Sequence, residues 1–157
     1  MNKFAKHFLE ILKILEKNNV DYVLVGGFAT ILHGMERLTT DIDLVIKMVP
    51  ENIDKLKMSL RSLFDDESIE EITQEELNNY PVIRYGTPAD FYIDIIGRLG
   101  ERFQFNDLTY EIIEYKGVKV KIATPETLIK MKKDTLRLKD NLDVMFLREL
   151  LNQKERK

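Results

Sequence analysis

The chain has 157 residues, room for one domain and no second full core. Hydrophobic residues make up 44% and charged ones 32%, and 24 Lys and Arg against 27 Asp and Glu leave a net charge of -3, which excludes a disordered chain and a generally basic nucleic-acid coat. There is no cysteine, so disulfides, thiolate metal sites and cysteine nucleophiles are excluded, and no apolar run approaches the ~20 residues a membrane helix needs.

From Met1 to Asn19 apolar residues alternate with Lys3, Lys6, Glu10, Lys13 and Glu16, so the reading is a cytoplasmic N-terminus rather than a signal peptide. Phe4, Phe8, Ile11, Leu12 and Leu15 fall at helical spacing and predict an amphipathic helix over 3–17, stopped by Asn18 and Asn19. Residues 22–25 are a short apolar run ending in Gly26-Gly27, a buried strand feeding a tight turn. A helix is predicted over 28–33, closed by Gly34, and a polar loop over 35–40 leads into a second strand at 41–46. Pro50 suits a first helical turn, and Ile53, Leu56, Leu60 and Leu63 mark the buried stripe of the helix behind it.

Residues 65–76 hold seven acids and no base, and read as a solvated surface segment. Residues 82–85 and 91–96 read as paired strands around Gly86-Thr87-Pro88, and 110–115 and 118–122 repeat the pattern around Lys116-Gly117. Thr124-Pro125-Glu126 is a helix start, and two helices follow over 125–136 and 141–153 with Asp140 as the cap between them. The sum is a single α/β (α+β) domain over 1–157, a mixed sheet flanked by helices and closed by C-terminal helices.

Three features carry chemistry. Gly26-Gly27 stands at a strand-to-helix junction, where free N–H groups and a missing side chain let a phosphate approach the backbone, although the same pair also makes a plain turn. Neither a G-x-G-x-x-G nor a P-loop completes it. Asp41 and Asp43 are two apart in a strand, so their carboxylates share one face roughly 6.5–7 Å apart along the chain while Ile42 and Leu44 face the core. Such a pair repels unless a cation compensates, and relief of that repulsion predicts that Asn at either position raises the metal-free melting temperature. Asp94 stands alone in an apolar strand and needs a partner: a metal, a backbone cap or a buried Arg, for which Arg84 on the adjacent predicted strand is the candidate. His33 reads as a locally bonded residue rather than a metal ligand, and Asp143 as a first-turn helix acid.

Together these residues resemble the nucleotidyltransferase superfamily related to DNA polymerase β. Val25-Gly26-Gly27 is followed by 13 intervening residues and then Asp41-Ile42-Asp43-Leu44, with Asp94 on a later apolar strand as the third acid. Gly26-Gly27-Phe28-Ala29, His33-Gly34, Arg37, Thr39 and the basic-acidic run from Arg137 to Asp143 are similar to the AbiEii-type branch, which includes toxins of toxin–antitoxin systems. The resemblance covers roughly residues 20–150. One departure is Gly27 where many relatives carry Ser, so no hydroxyl there assists phosphate binding.

The resemblance implies a metal-dependent enzyme that moves NMP from an NTP to a hydroxyl acceptor and releases pyrophosphate. Asp41, Asp43 and Asp94 would hold two Mg²⁺ ions, with Mn²⁺ as a substitute, and clamp the attacking and leaving oxygens. Gly26, Gly27, Arg37, Thr39, Lys132, Arg137 and Lys139 would contact the nucleotide. It further implies a cytoplasmic protein without membrane contact, an antitoxin partner, and a tRNA, small molecule or protein as acceptor. Two competing readings keep the same fold: a nucleotide- or partner-binding module without turnover, in which Asp94 turns away from the other acids, and a kinase-like phosphotransferase that releases NDP.

Overall fold

The structure, a computed structural model, describes residues 4–99, 103–132 and 138–155, and for Lys132 and residues 138–142 it describes the backbone alone. Helix α1 (Ala5–Lys17) buries Ala5, Phe8, Ile11, Leu12 and Leu15, the stripe its spacing predicts, and ends where Asn19 takes a left-handed backbone. Strand β1 (Tyr22–Val25) is buried along its whole length, as a central strand must be. It runs directly into helix α2 (Gly26–Leu32), which begins two residues earlier than the sequence reading placed it, so both glycines belong to the first helical turn. Gly34 has φ +116 and closes that helix as expected.

Strand β2 (Asp41–Ile46) and helix α3 (Pro50–Leu63) follow, the helix opening on its proline. The side chain of the buried Asn52 bonds the N–H and C=O of Asp21 and the C=O of Lys47, pinning the entry to β1 and the exit from β2 to one point. The acidic stretch is not merely solvated. It forms a 3-10 turn over Glu67–Glu71 and helix α4 (Gln74–Asn79), and Ile69, Ile72 and Leu77 anchor it in the core.

Strands β3 (Val82–Gly86) and β4 (Tyr92–Ile96) pair antiparallel as read. A two-stranded pair, β5 (Arg98–Leu99) and β6 (Phe103–Gln104), went unread because each strand is only two residues long. Strands β7 (Tyr110–Tyr115) and β8 (Val118–Ala123) form the second predicted hairpin. Helix α5 (Pro125–Lys132) starts on Thr124, whose hydroxyl accepts the Thr127 N–H at 3.3 Å. Helix α6 (Leu138–Glu155) begins before residue 140, so Asp140 lies in its first turn and is not the cap.

The main sheet has six strands in the order β3-β4-β2-β1-β8-β7. The pairs β2/β4 and β1/β8 are parallel and the other three antiparallel, a mixed sheet as the sequence predicts. Phe8 and Phe91 are fully buried at the centre of an aromatic cluster with Phe4, Phe28 and Phe64, beneath α1 and beside α3. Among the described residues, no helix is long and apolar enough to cross a membrane.

Candidate active site

The alternation of β2 sends Ile42 and Leu44 into the core and leaves Asp41 and Asp43 half-buried on the opposite face. The parallel pairing of β2 with β4 places Asp43 directly beside Asp94 and Asp41 beside Tyr92. Adjacent strands lie roughly 4.8 Å apart, so the register alone brings the Asp43 and Asp94 backbones to neighbouring positions. The three acids therefore share one face of the sheet, on two neighbouring strands.

Arg84 joins them from β3, where it stands in register with Asp94. Its Nη2 donates to Asp41 Oδ2 at 2.7 Å, and its Nε lies 3.4 Å from Asp94 Oδ1. The guanidinium also lies over the Tyr92 ring, 4.2 Å from the centroid. Desolvation opposes the charge, yet Asp94 and Asp41 together hold the Arg84 pKa above its ordinary value. The ion pair that the sequence offered as Asp94's alternative partner is thus present, and it extends to Asp41. Both carboxylates converge on one guanidinium, so Asp94 is not turned away from the site.

Gly26 stands under Asp43. A Cβ built there would collide with the Asp43 carboxylate, and the backbone is left-handed at φ +74, so two requirements favour glycine and any side chain there would have to displace Asp43. A Cβ on Gly27 would come within 3.2 Å of Arg37 Cζ. Arg37 therefore lies against the first turn of α2. It is held there by an ion pair with Asp143 of α6, a carboxylate whose side chain is 1% exposed. Sequence reasoning treated Asp143 as a plain first-turn acid. Its position 106 residues from Arg37 left no local signal beyond the basic-acidic run that contains it.

Thr39 donates to the Asp41 carbonyl and accepts the Asp41 N–H, each at 3.2 Å. Thr40 donates to Asp41 Oδ1 at 3.1 Å. These hydroxyls fix the start of β2 and aim Asp41. His33 bonds the Ala123 carbonyl at the end of β8 through Nε2 at 2.9 Å, a partner 90 residues along the chain rather than the local one expected. Arg137 and the side chains of Lys132 and Lys139 lie outside the described residues.

Hard carboxylate oxygens on one face are the donors that Mg²⁺ and Mn²⁺ take, and the cradle at Gly26 lets Asp43 approach helix α2 closely. The donor set fits a divalent cation in kind and in backbone position. Among the described residues, however, no three His, Asp or Glu side chains are grouped so as to hold a metal ion, and Arg84 is paired with Asp41 and Asp94.

The profile of the family described as "Nucleotidyl transferase AbiEii toxin, Type IV TA system" matches residues 10–149. No curated protein sequence matches the chain. Among solved structures, the lincomycin-bound lincosamide antibiotic adenylyltransferase LnuA superposes with a TM-score of 0.66 at 20% identity, over 96% of this chain and 99% of that one. ANT(2″)-Ia in complex with adenylyl-2″-tobramycin gives 0.58 at 15% identity, over 96% and 90%. An antigenic nucleotidyltransferase-like protein from Paracoccidioides brasiliensis gives 0.58 at 19%, over 94% and 75%. At these identities the likeness is one of fold.

Proposed function

Because the chain belongs to the AbiEii nucleotidyl transferase family, we propose that it moves a nucleoside monophosphate from an NTP to a hydroxyl acceptor with release of pyrophosphate, as the toxin of a toxin–antitoxin pair. The observation that carries this reading is the register of β2 against β4, which sets Asp41, Asp43 and Asp94 on one face with Gly26 beneath Asp43. A divalent cation bound to those carboxylates would supply positive charge to the attacking and leaving oxygens.

The remaining work falls to the chain itself. The amides of Gly26 and Gly27 and the adjacent guanidinium of Arg37 orient the triphosphate, and Asp143 fixes that guanidinium. Asp94 faces the acceptor and takes the proton from its hydroxyl. The oxygen so freed bonds to the α-phosphorus, the bond from that phosphorus to the bridging oxygen breaks, and the electron pair leaves on pyrophosphate. Such chemistry needs positioning and charge rather than a reactive nucleophilic side chain, which suits a chain without cysteine. LnuA is a lincosamide antibiotic adenylyltransferase with lincomycin bound, and ANT(2″)-Ia is in complex with adenylyl-2″-tobramycin, which supports keeping a small molecule beside tRNA and protein among the acceptors.

One observation favours the module without turnover: Arg84 occupies two of the three acids. The test supplies α- and γ-labelled NTPs with Mg²⁺ or Mn²⁺ and RNA, protein and metabolite fractions. Transfer of α-label with pyrophosphate release, lowered more than about a hundredfold by Asp43→Asn, is the expected result. Transfer of γ-label selects the kinase-like reading, and nucleotide binding without either transfer selects the module.

A further inference from the structure

We propose that Arg84 is a tethered counter-cation of the acid site: it neutralises Asp41 and Asp94 in the metal-free protein, and a divalent ion must expel it, so Arg84 sets the metal affinity. The inference rests on the metal-dependent reading above. One oxygen of each carboxylate, Asp41 Oδ2 and Asp94 Oδ1, now faces the guanidinium, on the side of the sheet where the acids would take a metal. A divalent ion and a guanidinium on the same carboxylates repel each other, so the two occupancies exclude one another.

Three features make Arg84 displaceable rather than structural. Its side chain is 53% exposed, so the ion pairs are weakly held and water accepts the released charge. Its seat on Tyr92 lies at the rim of the sheet, and Tyr92 itself is exposed. A cavity of about 200 Å³ opens beside it, lined by Ser68, Glu71, Ile72 and Gly86 among others, and Glu71 is the carboxylate there. The acidic stretch between α3 and β3 thereby gains a role: its Glu71, which lines the same cavity as Arg84, offers the expelled guanidinium a second anionic seat.

The test measures Mn²⁺ binding to the full chain by calorimetry and electron paramagnetic resonance, without nucleotide, alongside the melting temperature in chelator. Arg84→Met is expected to bind Mn²⁺ about tenfold more tightly, and to melt lower than wild type without metal. Arg84→Lys keeps the charge but loses the forked contact, and falls between the two. Glu71→Gln removes the second seat and weakens Mn²⁺ binding about two- to threefold in the wild-type background, while leaving it unchanged in Arg84→Met. Equal or weaker binding by Arg84→Met overturns the proposal and leaves the metal reading standing, whereas absence of Mn²⁺ binding in both proteins overturns both. An effect of Glu71→Gln that persists in Arg84→Met overturns the second seat alone.

Discussion

At Gly26 a single methyl group meets two obstacles, a left-handed backbone and the carboxylate of Asp43. The backbone penalty alone is about 1–2 kcal/mol for an L residue. Gly26→Ala is therefore expected to lower the melting temperature and, by pushing Asp43 off its position, to remove transfer activity. Gly27→Ala meets only a guanidinium at 3.2 Å and has an ordinary backbone, so its melting temperature stays near wild type while KM for the NTP rises. Calorimetric melting of both variants beside their kinetics separates the two positions, and equal damage at both would show that crowding at Asp43 is not the reason for Gly26. Arg84 also revises an expectation drawn from the sequence. Repulsion between Asp41 and Asp43 predicts that Asn at either position stabilises the metal-free protein. Asp41 already has a cation 2.7 Å away, so Asp41→Asn removes an ion pair and the metal-free melting temperature does not rise.

Between elements, the Arg37–Asp143 pair ties the loop after α2 to helix α6 across 106 residues. Asp143 is fully buried and Arg37 mostly so, hence removal of the carboxylate leaves a charge that water reaches poorly. Asp143→Ala should cost about 2–3 kcal/mol in denaturant unfolding, less than for a wholly buried pair because Arg37 keeps some solvent, and should raise KM for the NTP more than it lowers kcat. A second tie fastens the acidic stretch. Tyr85 of β3 donates its hydroxyl to Asp66 at 2.7 Å, and that bond, with the Ser68 N–H, holds the Asp66 carboxyl below its ordinary pKa. A depressed carboxyl stabilises the fold above its unfolded value and loses that contribution as pH falls through the folded one. Tyr85→Phe should accordingly lose less stability than wild type between pH 5 and pH 2, read from melting curves across that range. The helices with strong stripes and the two hairpins were legible because their signals are local. The acids of the stretch are at the surface as read, but its short helices went unread because the three buried apolar residues, Ile69, Ile72 and Leu77, are sparse among them, and charge density masks so thin a stripe.

The whole molecule shows where local signals end. Nothing in residues 41–46 or 91–96 states that β2 and β4 lie parallel with Asp43 beside Asp94, because that register depends on the strand order β3-β4-β2-β1-β8-β7. The periodicity placed the acids on faces, and only the motif resemblance placed the faces together. Asp143 and the Arg84 bridge to Asp41 stayed hidden for the same reason, since each joins segments whose separation only the fold removes. A site assembled by long-range register has a consequence for stability. Metal bound across β2 and β4 is bound to the folded chain alone, so it stabilises the entire fold by mass action. At about a hundredfold excess over the dissociation constant the gain is about 2.7 kcal/mol, a rise of roughly 5–11 °C in melting temperature for a chain of this size. Asp43→Asn should show little of that rise when Mn²⁺ is added, read against its own melting temperature in chelator. Should Asp43→Asn gain as much from Mn²⁺ as wild type, the ion binds elsewhere, and the register of β2 against β4 no longer explains the enzyme.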